Sequence, residues 1–329
     1  MHNDTTKRFS AYLEQTAKAN GTGDAAVTFP LEGAAERDAI AAVRAADPLL
    51  AKINFFPVRD PQGHAVGGVS AVGSIAARTD TRVRARAPRA AGIVDERTAF
   101  ECERTEYDTA LPFSLLDAWA HLPDFGATLD AALAKKRGLD RLMIGFNGTH
   151  AAPESDRDTF PRLQDVNIGW LEKIRSKAPG QVKAEGTAGS GVVTIGAGGN
   201  FAGLDALVFA AVQMLSEEHR QRRDLVVLLN RDLIQTQLVA DAADPAVNRI
   251  LATGKIASLA YHEAPFFPSG ALLVTTLENL SIYYQAGSMR RFIKQEPEAS
   301  QVCDYQTLAE AFVIEDFGLA ALVENIQPV

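Results

Sequence analysis

The chain has very little cysteine: Cys102 and Cys303 are the two in 329 residues. Two cysteines so far apart build no disulfide framework, and that usage fits a reducing compartment. No run approaches the roughly 20 apolar residues of a membrane span, which excludes an integral membrane protein of that kind. The opening MHNDTTKRF carries no apolar segment of the sort a secretory signal needs, so none is expected. A basic excess is missing too. The chain holds 33 Lys and Arg against 41 Asp and Glu, a net charge of −8, which argues against a main affinity for nucleic-acid phosphates. What is present is ordinary for a globular protein, with 47% hydrophobic and 22% charged residues. The length suits about two domains of roughly 150 residues each.

The periodicities give an α+β class with strands concentrated in the last third. Phe9, Tyr12, Leu13 and Thr16 recur at helical spacing, with Asn20-Gly21 where a C-cap would sit. GTGDAAVTFPLEGAA then reads as a flexible link. A short helix over 36–46 should stop at Asp47-Pro48. Leu115, Trp119, Leu122, Phe125, Leu129 and Leu133 form one helical stripe that Pro123 should kink or interrupt. Lys135, Lys136 and Arg137 before Gly138 suit the end of that helix. Leu163, Val166, Trp170, Leu171 and Ile174 form another helical face, and Leu204 to Leu215 an amphipathic helix. Residues 225–229, 271–276, 281–284, 312–316 and 319–326 carry the strand signal.

Residues 60–110 differ from the rest. Asp60-Pro61-Gln62-Gly63 is a turn signal, the following stretch is rich in Gly and Ala, and a basic tip lies between two extended arms. The segment reads as a long hairpin that buries too little to stand alone and should lie on another surface. Residues 78–91 carry Arg78, Arg82, Arg84, Arg86 and Arg89 against Asp80, a net of +4. Residues 92–110 carry six carboxylates against Arg97 and Arg104, a net of −4. Three readings fit: nucleic-acid contact, a solvated loop, or a charged arm lying on an acidic patch of an identical neighbour. No aromatic residue interleaves these arginines, so base stacking has no support. The third reading is preferred, because one chain supplies both signs.

Known catalytic patterns are not met. GAGGNFAG (196–203) lacks the spacing of a dinucleotide fingerprint or a phosphate loop. His262-Glu263 begins like a zinc motif, but Phe266 stands where the second His belongs. Neither cysteine sits in an activating context, and the carboxylates beside Cys102 should raise its pKa. The residues therefore indicate no catalytic site, cofactor or metal.

The chain resembles the major capsid proteins of P2-like tailed phages, in order and almost end to end. The resemblance is carried by RFSAYLEQTAKANG (8–21), INFFPV (53–58), FECERTEYD (100–108), LLDAWAHLPDF (115–125), LQDVNIGWL (163–171), DLVVLLNRDLI (224–234), LENLSIYY (277–284) and FVIEDFGLAALVENI (312–326). It implies an HK97-type capsid fold, with an N-terminal arm (35–59), an extended loop (60–110) and a peripheral domain with a long spine helix (111–199). An axial domain (200–283) and a return to the peripheral domain (284–329) complete it. It implies pentamers and hexamers closing an icosahedral head, assembled in the bacterial cytoplasm around double-stranded DNA. The implied partners are an internal scaffold with protease activity and a portal at one vertex, with no membrane. Residues 1–34 would be trimmed on maturation, in the neighbourhood of Phe29 and Pro30, and Pro30 departs from the family pattern there. The tip that carries Arg82, Arg84 and Arg86 departs from the family string as well, so its role as an inter-subunit contact rests on charge. The reading is a structural shell protein, not an enzyme; an α+β enzyme of unknown chemistry and a prophage remnant that keeps the fold are the alternatives.

Overall fold

A computed structural model of the chain describes residues 1–65, 69–70, 76–88, 93–240 and 245–329. Arg89 and most of the Gly/Ala-rich stretch after His64 lie outside the described residues. The helices are α1 (Asn3–Ala19), α2 (Ala34–Ala45), α3 (Phe113–Trp119), α4 (Phe125–Asn147), α5 (Trp170–Lys177), α6 (Leu204–Met214), α7 (Arg231–Ala240) and α8 (Pro245–Thr253). Pro123 falls in the break between α3 and α4, as its missing N–H requires.

Among the described residues, two large sheets organise the molecule. A seven-stranded sheet is built on the long strand Gln301–Ile314, which pairs with Arg290–Glu296, Leu280–Gln285, Glu103–Glu106 and Thr109–Pro112. Phe29–Pro30 and Asn54–Val58 extend it at its two ends. A six-stranded sheet runs in the order Lys255–Ile256, Leu259–Glu263, Val226–Leu229, Leu272–Thr275, Ala321–Val323, Val182–Lys183. Side chains alternate across a strand, and both faces of this sheet are covered. Leu228, Leu273 and Leu322 face one core, which contains Trp170, Ile174 and Phe312. Val227, Leu229, Leu272, Val274 and Val323 face a second core beneath α6 and α8, with Leu207, Val208, Val247 and Ile250.

Several expectations are corrected. The basic cluster Lys135–Arg137 does not end a helix, because α4 continues to Asn147. Gly138 is there for close packing: a Cβ would lie 3.0 Å from Leu50 Cδ1 and 3.3 Å from the Val43 carbonyl oxygen on the α2 side. Residues 148–169 are not helical. Thr149 N and His150 N donate to the Gln164 carbonyl, and Gly169 N donates to Gly148 O at 3.1 Å, so the segment folds back on itself. Leu163 and Val166 pack on the first core from this loop, and helix begins only at Trp170. The expected flexible link after α1 is anchored instead. Phe29 and Pro30 pair antiparallel with Arg291 and Arg290, and Ala25, Phe29 and Leu31 are buried with Ile40, Met289 and Leu308.

Candidate assembly surfaces

The segment 60–110 is a hairpin over its described parts. Gln62–His64 pairs antiparallel with Ala99–Glu101, and further out Val69–Ser70 pairs with Ile93–Val94. Its root is held by aromatic contacts: the Tyr283 ring meets Phe100 edge-on at 4.9 Å and Phe56 at 5.4 Å. Lys177 Nζ adds a hydrogen bond to the Ala99 carbonyl at 3.0 Å. Residues 81–88 at the far end are all exposed, so Arg82, Arg84 and Arg86 stand in solvent, and Val83 is 81% exposed. The Asp80 carboxylate accepts from Arg82 N at 2.9 Å, which fixes a turn at the tip. In the acidic half, Asp95 is committed to Arg97 at 2.7 Å and Glu106 to Arg104 at 2.8 Å.

At the return leg of the hairpin, Tyr107 is buried and its hydroxyl donates to Glu310 Oε1. The other carboxylate oxygen of Glu310 accepts from Arg141 Nε at 2.9 Å, and the Arg141 guanidinium lies 4.2 Å over the Tyr107 ring. Burial drives the Tyr107 hydroxyl well above its ordinary pKa, with the Arg141 cation opposing and Glu310 adding to the rise. One turn earlier on α4, Arg137 donates to Asp304 at 2.9 Å, and Asp304 is shared with Arg291 at 2.5 Å. These charges tie the hairpin, α4 and the long strand into one unit. The sequence reading missed them, although a signal was present. Phe125, Leu129 and Leu133 step by four, and Arg137 and Arg141 continue that step on the same buried face.

The processing neighbourhood lies at the edge of the seven-stranded sheet. Phe29 is buried, whereas Pro30 and residues 26–28 are exposed, with Val27 at 63%. The Arg tip and Phe29 are thus separate features. The tip belongs to the projecting hairpin, and Phe29 belongs to the edge of the sheet.

The remaining sequence candidates take structural places. The glycine-rich stretch 184–203 forms a loop around Val193–Ile195, where Asn200 Oδ1 accepts from Thr194 N and Oγ1 at 2.9 and 2.7 Å. His262 lies on the strand Leu259–Glu263, and no group of three or more His, Cys, Asp or Glu among the described residues is placed to hold a metal ion. Burial, more than the flanking carboxylates, pushes the Cys102 thiol up to about 11. A surface hollow of about 410 Å³ opens between Arg104, Arg290 and the stacked pair Phe292 and Tyr305, whose centroids are 4.3 Å apart. It offers two cations and an aromatic surface, with no nucleophile and base brought together. No helix among the described residues is long and apolar enough to cross a membrane.

Comparison with known proteins agrees with this organisation. The family described as phage major capsid protein, P2 family, matches residues 8–326. The capsid proteins of Escherichia phage P2 are 35% identical over 348 aligned positions, covering 99% of this chain and 96% of the relative. The major capsid protein of Serratia phage KSP20 is 36% identical, covering 99% and 97%. Among solved structures, a chain of the satellite phage P4 procapsid, which includes the size determination (Sid) protein, superposes with a TM-score of 0.79 at 32% identity. That match covers 100% of this chain and 99% of the other. The capsid of an empty GTA particle matches with a TM-score of 0.50 at 15% identity, over 86% and 91% of the two chains, and shows the same fold. The architecture is the HK97-type capsid fold that the resemblance implies. The chain belongs to the P2 family of phage major capsid proteins and is a structural component of the virion shell, not an enzyme.

Proposed function

We propose that copies of this chain form pentamers and hexamers that close an icosahedral head around double-stranded DNA, with the hairpin 60–110 lying across the neighbouring subunit. The observation that carries the reading is the hairpin itself. Its root is locked by Tyr107, Phe100 and Tyr283, while its far end presents Arg82, Arg84 and Arg86 to solvent. A basic tip on an anchored stem suits carboxylates of another copy, and many such moderate contacts summed over a closed surface give a stable container. In this reading 35–59 is the N-terminal arm, 111–199 with α4 as spine helix and 284–329 make the peripheral domain, and 200–283 is the axial domain. The second core beneath α6 and α8 supports that division. Assembly takes place in the host cytoplasm on an internal scaffold with protease activity, with a portal at one vertex. The protease removes residues within 1–34; the exposed stretch 26–28 is more accessible to it than buried Phe29. The net charge of −8 suits a lining that confines DNA without binding it tightly.

The test is the triple variant Arg82→Glu, Arg84→Glu, Arg86→Glu, co-expressed with the phage's own scaffold. Electron microscopy should show few or no closed shells, while circular dichroism of the unassembled chain stays unchanged. Shells in normal yield would overturn the placement of the tip.

A further inference from the structure

The N-terminal helix sits in its seam as a ligand sits in a site. Phe9 and Tyr12 enter an apolar cleft made by Leu111, Leu116, Phe125, Leu129, Leu133, Ile293 and Val302. Gly126 opens the wall for the Tyr12 ring, since a Cβ there would lie 3.1 Å from Tyr12 Cδ2. Beside the cleft the Tyr12 hydroxyl donates to Asp130 Oδ1 at 2.7 Å and accepts from Arg291 Nη2 at 2.8 Å. Polar contacts close both ends: His2 N reaches Asp117 Oδ1 at 2.8 Å, Arg8 Nη1 reaches the Leu122 carbonyl at 2.7 Å, and Ile293 N donates to the Ala25 carbonyl at 2.9 Å. The connection to the rest of the chain is different in kind. Residues 26–28 are exposed, and beyond them Phe29 belongs to the sheet edge, where Ala17 and Ala25 of the segment also pack.

We infer that residues 1–27 and this seam form a separable ligand and binding site, so that the segment stays bound, and exchanges with a free copy of itself, once the backbone is cut at Val27. The seam would otherwise expose apolar surface beside Arg291, and the anchors Phe9 and Tyr12 supply the specificity. The free segment lacks the packing of its apolar face on which most helix stability rests, so it orders as it binds. The inference goes beyond the proposed assembly role and does not depend on where any natural cut falls.

The experiment uses the full chain with a site-specific protease recognition sequence inserted at Val27. After folding and cleavage, the fragment should co-elute with the rest of the chain on size exclusion. An excess of fluorescent 1–27 peptide should replace it. A peptide carrying Tyr12→Phe should compete about tenfold less well, because it loses hydrogen bonds to charged partners, and one carrying Phe9→Ala should fail to compete. Separation of the fragment on its first passage through the column, or equal competition by all three peptides, would overturn the inference.

Discussion

At the scale of single residues, burial decides behaviour that the sequence leaves open. Lys173 on α5 is 8% exposed, and burial pushes its pKa down to about 8, with the nearby Lys177 cation acting in the same direction. The folded chain therefore gives up this proton more readily than the unfolded chain does. Below about pH 8 the buried cation costs its full amount; from there to the ordinary lysine pKa near 10.4 the unfolded state binds more protons, and stability rises with pH. Lys173→Met should raise the melting temperature at pH 7, through a gain of about 2–3 kcal/mol at most, and the advantage should fade by pH 10. Thermal melts of both chains at the two pH values test this; an equal gain at pH 10 would show that packing alone is responsible. Gly145 is a second case. A Cβ there would lie 2.2 Å from Trp170 Cζ3, inside a fully buried ring whose Nε1 donates to the Ser281 carbonyl at 3.0 Å. Gly145→Ala should destabilise by about 1–3 kcal/mol or more, seen as a lower denaturant midpoint. Neither position stands out in the sequence, because a mid-helix glycine and a lysine among apolar residues acquire meaning only from what packs against them.

At the scale of elements, the long strand Gln301–Ile314 receives the hairpin, and α4 buttresses it through paired charges. Glu310→Gln would leave the Arg141 guanidinium buried without its carboxylate, which should cost about 3–5 kcal/mol. Adding Arg141→Met should restore a good part of that loss, since the unpaired cation is then gone. Chemical denaturation of the single and double variants checks this, and additive losses would mean that the two groups are not coupled. The sequence made α2, the break at Pro123, α6 and the strand near 225–229 legible, because each depends on local periodicity or on proline. It hid the strand Arg290–Glu296 and the first half of Gln301–Ile314. There Arg291, Asp304 and Gln306 are buried among Ile293 and Val302, so polar groups with partners elsewhere in the chain interrupt the apolar alternation that marks a strand. The same substitution of charge for apolar residues made Lys135–Arg137 look like a helix end. The basic tip was legible as an anomaly, whereas its locked root was not, because Tyr107, Arg141 and Glu310 are far apart in the chain.

At the scale of the whole molecule, the N-terminal segment 1–34 is bound to the body at both Phe9 and Phe29, so the proposed trimming would be a rearrangement as well as a cut. In mature particles the main capsid band, separated from any small fragment by denaturing gel, should begin between residues 22 and 35 on N-terminal sequencing; a main band that still began at Met1 would count against trimming. The order of strands carries one more consequence, and it concerns synthesis. Gln301–Ile314 lies inside the seven-stranded sheet, and Ala321–Val323 lies between Leu272–Thr275 and Val182–Lys183 in the other. Both are made last. A growing chain that has not yet reached them therefore has a gap in each sheet, and neither core can close until translation has delivered the missing strand. A prematurely terminated chain keeps that gap, with open edges where a finished subunit has paired ones. Synthesis of these two strands thus becomes the condition for closed cores, and a subunit that lacks them is marked by its open sheets.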